Sequence, residues 1–168
     1  MKTKLHIIFL FFILNFILFG CIENREYPIE PKITYKSFAS MQDASGKDSL
    51  GFLTIEFTDG DGDIGLSQAD TFPPYNIGSE FYYNFFITFF EKKDGKFVKI
   101  EQPYNSRIPD VNPEKIDKDL AGDITIEIDL KILSLVITQK TIKMSAFMYD
   151  RALNKSNEIE TPEININL

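Results

Sequence analysis

Tryptophan is absent, cysteine and histidine occur once each, and 18 basic residues face 25 acidic ones in a chain of 168. Each shortage closes off a class of function. Without a cysteine pair the chain cannot form an internal disulfide, so its stability must come from burying a core. The single histidine, His6, lies in an N-terminal segment with the layout of a removable leader. The rest of the chain then has neither an imidazole nor a free thiol. Ser-His-Asp and Cys-His catalysis, histidine zinc sites and thiolate metal sites have no residues to work with. A net charge of −7 repels phosphates, so nucleic acid is not an expected partner. No glycine-rich nucleotide loop is present. A carboxylate pair suits glycoside hydrolysis, but that chemistry sits in a deep cleft that a small β domain seldom offers. The chain is therefore read as non-catalytic.

Two lysines within Met1–Lys4 precede an apolar run, Leu5 to Phe19, broken only by His6 and Asn15. The run is shorter than the roughly 20 residues of a spanning helix, and it ends in Gly20-Cys21. This predicts a signal peptide over residues 1–20. Leu18-Phe19-Gly20-Cys21 resembles the lipobox of bacterial lipoproteins. The resemblance implies cleavage before Cys21, diacylglycerol on its thiol, acylation of the new amine, and a membrane partner held through that lipid. Cleavage leaves 148 residues and, with Lys2 and Lys4 gone, a net charge of −9. Residues 21–31 carry Glu23, Arg25, Glu26 and Glu30 with prolines at 28 and 31, and show no apolar period. They read as a tether that spans at most roughly 33–36 Å.

From Ile33 onward apolar residues recur at every second position: Leu53, Ile55, Phe57; Ile124, Ile126, Ile128, Leu130; Ile142, Met144, Ala146, Met148; Ile164, Ile166, Leu168. Polar residues stand between them, so each segment predicts a half-buried strand of an antiparallel sheet. About seven strands are expected, near 32–39, 50–58, 81–91, 96–101, 122–131, 140–150 and 157–168. That number suits an immunoglobulin-like β-sandwich over residues 32–168, with an open barrel as the competing architecture. Asp94-Gly95 predicts a tight type I′ turn. Asn112 is expected to cap a short helix from Pro113 to Leu120. Leu133 to Thr138 fits either a strand continuation or one helical turn.

Directly after the second strand stands Thr58-Asp59-Gly60-Asp61-Gly62-Asp63-Ile64-Gly65-Leu66. Three carboxylates on alternate residues, spaced by glycines that let the backbone fold tightly, can turn several oxygens toward one centre. Hard Ca²⁺ takes six to eight oxygens, so Asp59, Asp61 and Asp63 are candidate calcium ligands, with Asp70 and Asp150 as further ones. Asp59 as position 1 places Leu66 at the apolar position 8 and Asp70 at position 12 of an EF-hand loop. Ile64 in place of the position-6 glycine, and the lack of a preceding helix, reject an EF-hand proper. The bland alternative is a turn whose carboxylates are solvated or neutralised by Arg151. In a sandwich, the loops after strands two and six and the start of strand one share a pole. The cluster is thus expected on the tether side, with Glu30 and Asp43 as nearby acids.

Phe81 to Phe90 is rich in aromatic rings, which read mainly as core; Tyr82 and Phe86 are the candidates for exposed binding. The lipobox, the acidic tether, the Asp-Gly loop and Asp150-Arg151-Ala152-Leu153-Asn154 together resemble small cell-envelope lipoproteins of Bacteroidota. The last motif is also similar to the Asp-x-Ala-x-Asn loop of bacterial Ig-like modules. The resemblance implies a β-sandwich at the outer membrane, and Glu23 and Glu26 resemble a surface-export signal. Two roles follow as expectations: an adhesion-like or assembly module that binds another envelope protein, or a glycan-binding lipoprotein of nutrient capture.

Overall fold

The computed structural model describes residues 27–116 and 118–168. The expected leader, Cys21 and the tether up to residue 26 lie outside the described residues. The chain runs through β1 (Lys32–Gln42), β2 (Asp48–Asp59), β3 (Phe85–Lys93), β4 (Lys96–Lys99), β5 (Tyr104–Ser106) and β6 (Leu120–Asp129). A helical turn, α1 (Leu130–Leu133), and then β7 (Thr141–Met148), β8 (Ile159–Glu160) and β9 (Ile164–Asn165) complete it. One sheet has the order β1-β2-β6; the other has β4-β3-β7-β8, with β5 on β3 and β9 on β7. Every strand pairing is antiparallel. This is an immunoglobulin-like β-sandwich.

The period of two in the sequence is the period of burial. Leu53, Ile55 and Phe57 from β2 and Ile126 and Ile128 from β6 meet Phe85, Ile87 and Phe89 from β3 and Ile142, Met144, Ala146 and Met148 from β7 in one cluster. Asp94 (φ 50°) and Gly95 (φ 77°) make the predicted tight turn, closing Lys93 onto Lys96.

Four expectations are corrected. The strand expected at 81 starts at Phe85, because the buried Asn84 side chain ties the chain to Ile108, accepting its N–H and donating to its carbonyl. No helix follows Asn112; a single turn ends where Lys115 takes φ 50°, outside the helical region. The strand expected to 131 stops at Asp129, whose carboxylate accepts the N–H groups of Lys131 and Ile132 and caps α1; the helical path runs on past Leu133, whose carbonyl accepts the Val136 and Ile137 N–H groups, so of the two readings of 133–138 the helical turn holds. The last strand is two short pieces. Thr161 and Ser156 hydroxyls accept the Met144 and Met148 N–H groups, standing in for backbone carbonyls, and Pro162 has no N–H to offer. With β5 added, nine strands replace the seven expected.

Register places the loops. Lys32 pairs with Thr58, Leu120 with Asp59, and Phe85 with Met148. One pole therefore gathers residues 27–31 with the loops 60–84, 107–119 and 149–158, as the sandwich geometry predicts. The other pole carries the turn after β1, α1, and Asn167, which exchanges bonds with Asp48. Asp43 sits in that distal turn, because the eleven residues of β1 carry it away from the tether side. No helix among the described residues is long and apolar enough to cross a membrane.

Candidate metal centre

Asp59 continues the inward phase of β2: after Leu53, Ile55 and Phe57, the next core-facing position holds a carboxylate, fully buried. The chain then folds back sharply. A Cβ on Gly60 would collide with the carbonyl oxygen of Tyr27, and Gly62 takes φ 72° with a Cβ position 2.6 Å from the Lys118 carbonyl. These approaches explain why glycines separate the aspartates. Beyond the turn, Ile64 and Leu66 are buried and exchange backbone bonds with Ile108, Asp110 and Val111, which fixes the loop's far side.

One carboxylate oxygen from each of Asp59, Asp61 and Asp63 lies within 4.8 Å of the others. Two oxygens on one Ca²⁺, each at 2.3–2.6 Å, are at most about 5 Å apart, so the spacing fits a single ion. The partners already present leave room for it. Asp59 Oδ2 accepts the Asp63 N–H at 3.0 Å, and Asp63 Oδ2 accepts the Ala152 N–H at 2.8 Å. Oδ1 of Asp59, of Asp61 and of Asp63 are each buried with no hydrogen-bond partner. An all-oxygen donor set suits a hard cation.

Electrostatics point the same way. Burial raises the Asp59 carboxyl to about 7, with Asp61, Asp63 and Asp150 adding repulsion. Burial also raises Asp63 to about 6, helped by Asp150 and Asp61. Asp150 is pushed up by burial and by Asp61, against the bonds it accepts from Asn154. Among the described residues, no lysine or arginine forms an ion pair with any of these four carboxylates.

Arg151 pairs with another acid: its Nη2 lies 2.6 Å from Asp70 Oδ1, its Nη1 is buried without a partner beside the cleft, and its backbone N–H reaches the Asp63 carbonyl. Asp70 is thus placed apart from the cluster. Its Oδ2 accepts the Ser67 N–H and hydroxyl, and although burial opposes it, these bonds and Arg151 hold its carboxyl low. Asp150 stands beside the cluster, both oxygens held by Asn154. Glu30 is exposed at the same pole, outside the group of three. Asn112 belongs to the site in a way the sequence did not announce: its Nδ2 donates to the carbonyls of Gly62 and Ile116. It shares with Asp61, Asp63, Asp110, Lys115 and Arg151 the lining of a cleft of ≈ 210 Å³.

The aromatic candidates are divided. Tyr82 lies half-buried with the Arg107 guanidinium 5.2 Å above its ring. Phe86 faces outward on β3 and stacks on Phe147 at 5.0 Å, with Lys155 Nζ 3.9 Å over Phe147. No protein family, curated protein or solved structure matches this chain.

Proposed function

We propose that this chain is a non-catalytic, lipid-anchored envelope module whose Asp59-Asp61-Asp63 loop holds Ca²⁺, and which binds another envelope protein. The observation that carries the calcium reading is the set of three buried carboxylate oxygens without partners, in a cluster with which no described lysine or arginine forms an ion pair. Water or a proton would relieve one such oxygen; a divalent cation relieves all three. A ligand that binds only the folded state raises its stability by RT ln(1 + [L]/Kd). Calcium should therefore raise the melting temperature, and Asp61→Asn should shrink the rise. Identical melting in calcium and in chelator would reject the site.

A protein partner is favoured over a glycan by the outer edge of β1, which forms a ladder with β2 alone among the described residues; the Asn157 side chain bonds both backbone groups of Ile33, so the open stretch of this edge begins after it. Such an edge offers a row of unpaired backbone groups to an incoming strand. The aromatic rings a sugar would need, Phe86 and Phe147, are engaged with each other and with Lys155. A photoreactive residue at Ala39 on this edge should yield a discrete protein adduct in the native envelope, and one at Lys96, on β4, should not. Adducts at both positions or at neither would reject the edge as the contact.

A further inference from the structure

We infer that the pole bearing the carboxylate loop rests on the bilayer that holds the Cys21 lipid, with Phe72 and Ile77 entering its interface; this rests on the lipid-anchor reading. Phe72 is 77% exposed and Ile77 81%. Both stand in the loop between β2 and β3. From Thr71 to Tyr83 that loop has one charged residue, Glu80, against Phe72, Tyr75, Ile77, Phe81, Tyr82 and Tyr83. Aromatic rings with a polar tip favour the headgroup level of a membrane, and apolar side chains favour the layer below it.

The loop is held firmly at its base. Arg107 donates to the carbonyls of Tyr82, Ser67 and Asp70 at 2.7, 3.1 and 2.8 Å. Asp70 pairs with Arg151, and the Tyr75 hydroxyl donates to the Arg151 carbonyl. Two large apolar side chains thus stay in water on a segment that is pinned. Transfer of such side chains out of water is favourable, so an apolar layer brought against this loop is held there.

Chain length names the partner. Tyr27 is fixed to this pole, its N–H facing the Asp119 carboxylate at 3.4 Å and its carbonyl packed over Gly60. Six residues separate it from Cys21, a reach of at most roughly 20–22 Å. An acylated Cys21 therefore holds this pole beside the headgroups. A second exposed apolar group, Ile132 in α1 with Leu135 and Val136 just after it, stands at the opposite pole and is carried away from the lipid. A cation held by the Asp59-Asp61-Asp63 loop offsets the charge of its carboxylates and so their repulsion of the headgroups.

The absence of tryptophan makes the test direct, because Phe72→Trp, Ile77→Trp and Leu135→Trp each introduce a single tryptophan, excited apart from the tyrosines, at an exposed position. Each lipidated protein is reconstituted in calcium into vesicles of phosphatidylethanolamine and phosphatidylglycerol, with or without bromine on the acyl chains. The Phe72→Trp and Ile77→Trp proteins should shift their emission to the blue and lose most of it to brominated lipid, while Leu135→Trp keeps a solvent-like, unquenched emission. If the proteins float with the vesicles but none is quenched, the docking is overturned and the anchor stands. Equal quenching of Leu135→Trp overturns the choice of pole. Proteins that do not float with the vesicles overturn the anchor and the docking together.

Discussion

Raising the pH of the calcium-free protein from about 5 to about 8 should destabilise it, the reverse of what ionised, ion-paired carboxylates produce. The unfolded Asp59 carboxyl loses its proton near 3.8, whereas the folded one keeps it up to about 7. Between these values the folded state binds more protons, so stability is complete at the acid end and falls as pH rises through 7. Each unit of difference is roughly 1.4 kcal/mol, so the two units crossed between about pH 5 and 7 remove roughly 3 kcal/mol through Asp59 alone. Asp63, raised to about 6, acts in the same direction. For a domain of this size the melting temperature should drop by roughly 6–12 °C. Asp70 and Glu91 work oppositely: their lowered values contribute stability that is lost as pH falls through the ordinary carboxyl range, so the calcium-free optimum should lie near about pH 4. Thermal melts across this range, in chelator and in calcium, make the measurement. Calcium takes the place of the protons and should flatten the alkaline decline, as should Asp59→Asn. A calcium-free melting temperature that stays level or climbs from about pH 5 to about pH 8 would refute the account, because the carboxylates would then be ionised without cost.

Arg151→Ala removes the 2.6 Å pair with Asp70 and should cost about 1–3 kcal/mol, yet leave the calcium-induced rise intact; a larger rise would return Arg151 to the role of counter-charge that competes with calcium for the cluster. Asn112→Ala frees the Gly62 and Ile116 carbonyls and should cost about 1–3 kcal/mol while weakening calcium affinity by calorimetry; unchanged affinity would detach Asn112 from the site. Mass spectrometry of the native N-terminus should find lipid mass on Cys21, and Cys21→Ser should leave the precursor uncleaved; an intact Met1–Gly20 segment in the native protein would contradict the anchor.

The alternation 53-55-57 or 142-144-146-148 was legible because burial on a strand repeats every two residues, and neighbours alone decide it. The same parity, carried two residues further, places Asp59 inside the core, and that is the local signal that separates a buried carboxylate from a solvated turn. The remaining features depend on partners distant in sequence. Nothing around Asn112 tells that it will bridge Gly62, fifty positions earlier, rather than cap a helix. The division of the last strand depends on two hydroxyls meeting β7 in one register, and the early end of β6 on Asp129 turning back to cap α1. Asp70 fits a calcium-loop spacing by count, but Arg151, 81 positions later, claims it.

The lead-in and Leu168 lie at opposite poles, and β1 runs from one toward the other beside β2. A pull between the two ends therefore acts along β1, loading the rungs of its ladder in shear. Rungs loaded this way share the force and give way together, whereas a strand peeled from one end loses them singly. At the far end β9 has only a short ladder with β7, supported by the bonds between Asn167 and Asp48. Yielding should begin there, leaving the β1–β2 pair and the carboxylate loop as the last part of the domain to part under tension.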